Sequence, residues 1–155
     1  MMIGYGKSTQ TAIAALTLLA QSYDGGATRL SAADIAATRN LQRPFVAKLL
    51  TVLAQARLVV GSPGPGGGYA LARPPREITI YEVAAVFERN DGDICPLGKG
   101  RCGNKEPCPL HESLRGMDDS IEQLLRGLTL EIFHTSPASA GPVPSQMPSE
   151  GAPPA

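Results

Sequence analysis

No apolar run in the chain approaches the roughly 20 residues needed to cross a bilayer as a helix. The most apolar stretch, residues 11–20, has neither a long hydrophobic region nor a clear cleavage site, so a secretory signal is not expected. A cytoplasmic location is the expectation. Net charge is also missing: 14 Lys and Arg balance 14 Asp and Glu, so the chain as a whole is not a polycation. Cysteine is scarce and odd in number, with all three between positions 95 and 108. That excludes a fully paired disulfide framework and favours a metal or redox site in a reducing compartment. No nucleophile–base pair is legible, and the glycine-rich stretch at 64–68 lacks the Lys-Ser/Thr ending of a nucleotide-binding loop. The chain is therefore not expected to be an enzyme.

The charges that are present are unevenly placed. Residues 1–90 hold nine Lys and Arg against five Asp and Glu, and residues 91–155 hold five against nine. Between Arg29 and Arg76, seven basic residues face Asp34 alone. A basic N-terminal half on a neutral chain is the electrostatic footprint of a nucleic-acid-binding half joined to something else. Hydrophobic residues make up 43% of the chain, enough for the packed core of one ordinary domain. The 14 prolines and 17 glycines imply that part of it is unstructured. Residues 135–155, rich in Pro, Ser, Ala and Gly, read as a disordered tail because they offer too little apolar surface to order.

Hydrophobic spacing predicts four short helices and one longer one. Ala12, Leu16, Leu19 and Tyr23 mark the first, with Ser8 or Thr9 as its cap and Asp24-Gly25-Gly26 at its end. Ser31 to Asp34 reads as a capping box opening a second helix that buries Ile35 and Ala36. After a turn at residues 38–41, a third helix carries Pro44 in its first turn. It buries Phe45, Leu49, Val52 and Ala56, widened by Val46, Leu50 and Leu53, and turns Pro44, Ala47, Lys48, Thr51 and Gln55 outward. Residues 58–61 and 69–71 read as a hairpin around a Pro/Gly turn. Thr79 caps a fourth helix containing Val83, Val86 and Phe87. From about Pro109 to Leu128, the residues Leu110, Leu114, Met117, Ile121, Leu124 and Leu128 form a narrow heptad-like seam suited to one partner helix. His134 has no constellation around it and is expected to be solvated.

Two short helices, a tight turn and a hairpin make a winged helix-turn-helix. The fold class expected is mainly α with a small β-hairpin wing and a long C-terminal dimerisation helix. The boundaries expected are 5–90 for the DNA-binding domain, 91–108 for a cysteine-rich loop, 109–134 for the dimerisation helix with a short terminal helix, and 135–155 for the tail. The second helix of the pair presents small and donor groups, which a major groove requires. Gly66, Gly67 and Gly68 would let the wing approach the sugar-phosphate chain, with Arg57 and Arg73 flanking it.

The order of elements resembles the Rrf2 family of winged-helix transcription regulators. The matching segments are residues 30–36 (LSAADIA), 44–50 (PFVAKLL) and especially 64–71 (GPGGGYAL), whose Gly-Pro-Gly-Gly-Gly-Tyr-x-Leu pattern is the most specific. The likeness continues through Ile78–Val83 and the cysteine loop to Thr129–Ile132, about residues 5–133 in all. It implies a sequence-specific DNA-binding regulator, expected to repress, that binds a palindromic operator in double-stranded DNA as a homodimer. The candidate DNA contacts are Lys7, Ser8, Gln42, Arg43, Pro44, Lys48, Gly66, Gly67, Gly68 and Tyr69.

Cys95, Cys102 and Cys108 are spaced C-x6-C-x5-C, with His111 three residues further on. Gly98, Gly100 and Gly103 permit sharp turns, and Lys99, Arg101 and Lys105 would offset thiolate charge and lower the cysteine pKa values. His111 occupies the place where IscR-like family members carry a histidine ligand. Gln10 lies near the place of the acidic ligand of NsrR-like members and is not a carboxylate. The resemblance thus implies an iron–sulfur cluster, [2Fe-2S] before [4Fe-4S], sensing redox state, iron or nitric oxide. The first gap is one residue longer than the spacing common in cluster-binding members. Three alternatives stay open: a zinc site, for which the usual C-x2–4-C spacing is absent; a metal-free or thiol-switch regulator of the same fold, as in CymR-like members; and a small zinc or redox protein of another class.

Overall fold

The computed structural model describes residues 5–88 and 109–135, without the side chains of His111 and Thr135. Helix α1 (Lys7–Gln21) buries Ala12, Ala15, Leu16, Leu19 and Ala20 at helical spacing. The expected cap at Ser8 or Thr9 is not there, because both residues lie within the helix and no side chain of α1 caps it. Thr9 is fully buried, so its hydroxyl must find a partner inside the fold, and it donates to Glu88 Oε1 at 2.6 Å.

Helix α2 (Ala32–Arg39) starts as expected. The Ser31 hydroxyl accepts from the Asp34 backbone N–H, and the Asp34 carboxylate accepts from the Ser31 N–H at 3.0 Å. Hydrogen bonds to Ser31 hold the Asp34 carboxyl below its ordinary pKa. The helix runs through Thr38, where a turn had been expected. It stops at Asn40, which adopts the left-handed conformation at φ 52°. Asn40 and Leu41 donate back to the Ala37 and Ala36 carbonyls, the paired bonds of a Schellman stop, and asparagine tolerates that backbone better than most residues.

Helix α3 (Arg43–Gln55) has Pro44 in its first turn. Its buried row is Val46, Leu49, Leu50 and Leu53. Phe45 and Val52 are half-buried and Ala56 is exposed, so the helix is rotated from the face expected. Strands β1 (Val59–Ser62) and β2 (Gly68–Leu71) pair antiparallel, from Val59 opposite Leu71 to Ser62 opposite Gly68. A 3-10 turn at Pro75–Glu77 leads to α4 (Ile80–Phe87), opened by a capping box between Thr79 and Glu82. Helices α5 (His111–Gly127) and α6 (Glu131–Thr135) complete the described chain.

The core gathers Leu16, Ile35, Leu50, Leu53, Ile78 and Leu130, all fully buried. Helix α1 lies at its centre and packs against α2, α3, α4 and α6. Helix α5 differs from the other long helices. It buries Leu125 but leaves Leu110, Met117 and Leu124 at 49%, 47% and 59% exposure. Half of the heptad seam read from the sequence is therefore exposed, while Leu114, Ile121 and Leu128 are half-buried. A backbone clamp fixes its C-terminal end: Ile80 donates to the Leu128 carbonyl and Leu130 to the Ile78 carbonyl, both at 2.9 Å. His134 is exposed yet engaged. Its Nδ1 lies 2.9 Å from the Ala20 carbonyl, which requires the proton on that nitrogen, and its ring meets Tyr23 edge-on. Among the described residues no helix is long and apolar enough to cross a membrane.

Candidate nucleic-acid interface

Helix α3 begins without a capping side chain, because Gln42 sits extended at the N-cap and bonds nothing there. Helix starts leave backbone N–H groups aimed outward with positive partial charge, a natural seat for a phosphate. Gln42, Arg43, Pro44, Lys48, Thr51 and Gln55 are all exposed and Ala47 is half-exposed. Among the described residues, Arg43 and Lys48 have no carboxylate partner, so their charge faces solvent. Arg73 differs. It is paired with Glu82 at 2.9 Å and also donates to the Glu77 carbonyl, so the phosphate role suggested for it has a structural competitor. Burial pushes the Glu82 carboxyl up, but the Thr79 backbone N–H and Arg73 outweigh it and the net shift is downward.

The fold brings the first turn of α1 to the same surface. Lys7, Asn40, Leu41, Gln42 and Phe45 line one open depression of about 450 Å³. Lys7 is exposed, and Ser8 beside it is half-buried. The rotation of α3 explains Phe45: it forms a wall of this depression instead of sitting at the centre of the core.

The wing is built by its glycines in different ways. Gly67 donates to the Gly64 carbonyl at 3.0 Å, closing a turn with Pro65 and Gly66 at its centre. Gly66 has φ 73°, the positive value that the third position of a type II turn demands. A Cβ on Gly67 would strike the Ser62 carbonyl. A Cβ on Gly68, at φ 144°, would lie 2.8 Å from the Leu30 carbonyl carbon and oxygen. That close approach lets Tyr69 and Leu30 exchange two backbone hydrogen bonds, at 2.8 and 3.0 Å, and so ties the wing to the start of α2. The Tyr69 ring lies over Gly61, whose added Cβ would approach it to 3.1 Å. Packing thus accounts for Gly67, Gly68 and Tyr69, whereas Gly66 stands in open space at the tip.

Cys95, Cys102 and Cys108 lie outside the described residues, as does the side chain of His111, whose backbone opens α5. Among the described residues no other cluster of His, Cys, Asp and Glu could hold a metal. Three contributors were not legible as site residues. Leu30 anchors the wing, Asn40 shapes the turn between the paired helices, and Glu88 holds the start of α1. Only Asn40 carried a local signal, as a left-handed residue type at a helix end.

The Rrf2 family profile, described as "Iron-dependent Transcriptional regulator", matches residues 5–134. BadM of Rhodopseudomonas palustris, classed among HTH-type transcriptional regulators, is 32% identical over 124 residues, covering 80% of this chain and 76% of its own. CymR, the global cysteine regulator of B. subtilis, superposes with a TM-score of 0.71 at 25% identity, covering 86% of this chain and 98% of its own. IscR of T. potens superposes at 0.66 with 27% identity, covering 84% and 85%. The helical fold with its two-stranded wing, the matched 130-residue span and these relatives agree: the chain belongs to the Rrf2 family of transcriptional regulators.

Proposed function

We propose that the chain binds double-stranded DNA as a homodimer on a palindromic operator, and that an iron–sulfur cluster tunes that affinity. The observation that carries the DNA half is the surface where Lys7 of α1 meets Gln42 at the uncapped start of α3, the helix that also exposes the unpaired Arg43 and Lys48. In this reading Gln42, Arg43 and Lys48 reach base edges or phosphates from α3, Pro44 packs at the groove wall, and Lys7 and Ser8 hold the backbone. The wing follows the adjacent sugar-phosphate chain with Gly66 at its tip, while Gly67, Gly68 and Tyr69 hold that tip in place. The exposed seam of α5 supports the homodimer, because unpaired apolar side chains at heptad spacing fit a second copy of the same helix. Occupying the operator would repress.

The donor set fits an iron–sulfur group. Cys95, Cys102 and Cys108 provide three thiolates within one short segment, and His111 provides an imidazole as fourth ligand. Such a group, once bound, supplies a response to redox state, iron or nitric oxide. The chain's own part is to hold it: Lys99, Arg101 and Lys105 offset thiolate charge, and His111 is itself the first residue of α5.

The test is purification without oxygen, followed by iron analysis, a visible absorption spectrum and operator titration with loaded and stripped protein. The expected result is brown, iron-containing protein whose operator affinity changes on stripping. Colourless protein holding zinc, or no metal with free thiols, would remove the cluster half. The Arg43→Ala, Lys48→Ala double variant decides the DNA half separately: unchanged operator affinity would end the assignment of α3 as the recognition helix.

A further inference from the structure

Helix α1 is braced from outside. Its first turn exposes backbone N–H groups, and no residue of α1 supplies a capping side chain. Glu88, just beyond the end of α4 and 82 residues from Gly6, braces that turn without capping its N–H groups. One carboxylate oxygen accepts both the Gly6 N–H at 2.9 Å and the Thr9 hydroxyl at 2.6 Å. The Gln10 side-chain amide donates to the Tyr5 carbonyl at 2.8 Å and closes the other side of the turn. The first turn of α1 is therefore held by a long-range contact, and it carries Lys7 on the wall of the depression shared with Gln42.

We infer that Glu88 is a positioning residue for DNA contact: its carboxylate fixes the first turn of α1 so that Lys7 meets a backbone phosphate. The inference rests on the reading of Lys7 as a DNA contact. An acidic side chain near DNA would ordinarily weaken binding through its charge. Here both lone-pair directions of one oxygen are spent on the helix start, and the cationic residue it steadies faces outward. Removing the carboxylate's reach should therefore weaken binding, the opposite of what a pure charge effect gives.

The test uses a fluorescently labelled mixed-sequence duplex, because a phosphate contact does not depend on sequence. The salt slope of binding is measured for wild type, Lys7→Ala, Glu88→Ala and the double variant. Loss of one phosphate contact lowers the slope by about one. Each single variant is expected to show that drop and the double variant no more than that, since both remove the same contact. Glu88→Gln should keep the wild-type slope, because its amide oxygen still accepts from Gly6 and Thr9. Should Glu88→Ala fold poorly, Glu88→Asp keeps the charge but loses reach, and the same drop is expected. Additive losses in the double variant would overturn the inference, as would wild-type slopes in Glu88→Ala or Glu88→Asp. An unchanged slope in Lys7→Ala would overturn it too, while leaving DNA binding to stand on Arg43 and Lys48.

Discussion

Leu124→Glu should convert the protein to a well-folded monomer. Leu124 lies on the seam of α5 and is 59% exposed, so the chain's own core covers less than half of it. Fully burying a leucine stabilises by about 1.5–3 kcal/mol. The exposed share leaves about 1–2 kcal/mol for a partner to gain. A twofold interface repeats every contact, so one substitution removes about 2–4 kcal/mol, or roughly 30- to 1,000-fold in dimer dissociation constant. Desolvating the new carboxylates adds to this, so the figure is a lower bound. Ile121→Glu is a poorer probe, because Ile121 packs partly on the core and its loss would also loosen the monomer. Sedimentation across a concentration range measures the dissociation constant, and a thermal melt followed by circular dichroism checks the fold. A variant dimer within threefold of wild type, or a wild-type monomer at micromolar concentration, would refute the reasoning.

Gly68→Ala should destabilise by about 2–4 kcal/mol in urea unfolding, from the strained φ and the clash with the Leu30 backbone. Gly66→Ala, also at positive φ but in open space, should cost about 1–2 kcal/mol; equal costs would mean that the wing does not rest on Leu30. Glu82 titrates below its ordinary value when folded. Its stabilisation is present above about pH 4.3, the ordinary glutamate value, and is lost as pH falls through the depressed folded value. Glu82→Gln should flatten the unfolding curve in that acid window and leave its shape above pH 6 unchanged. His111→Cys should retain iron in anaerobic protein and lower its midpoint potential, since thiolate ligation lowers potential relative to imidazole. An unmoved potential would remove His111 from the ligand set.

Local chemistry was legible in the sequence and long-range chemistry was not. The boxes Ser31–Asp34 and Thr79–Glu82 close within three residues, so their sequence signature carries the whole interaction. The brace on the start of α1 comes from Glu88, 79 residues beyond Thr9, and nothing near Thr9 announces it. The rotation of α3 was hidden for a different reason. Both of its rows are apolar, and only the neighbours decide that Val46, Leu50 and Leu53 sink while Phe45 lines a surface depression. The wing's glycines were legible as a group because a tight Pro/Gly turn needs them. Their division into a tip residue and packing residues depends on Leu30, which belongs to another element.

The clamp at the end of α5 ties that helix to the core of the fold. Leu128 and Leu130 exchange backbone hydrogen bonds with Ile80 and Ile78, and Thr129 bridges to Thr79. Leu130 is fully buried, so the clamp is set into the core that also positions α1 and α3. The 17 residues of α5 run from it for about 25 Å, with Ile121 and Leu125 packed against the core near the clamp. For a rod of this length a displacement of about 2 Å at the His111 end corresponds to a tilt of about 5° at the clamp. If two such rods met along their seams in the proposed dimer, their tilt would bear on the separation of the two α3 helices. Operator half-sites lie at fixed helical intervals, so a small change in that separation alters how well both α3 helices seat at once. A ligand at the far end of α5 would then need no path through the DNA-binding core: it would act on the angle at which that core is held.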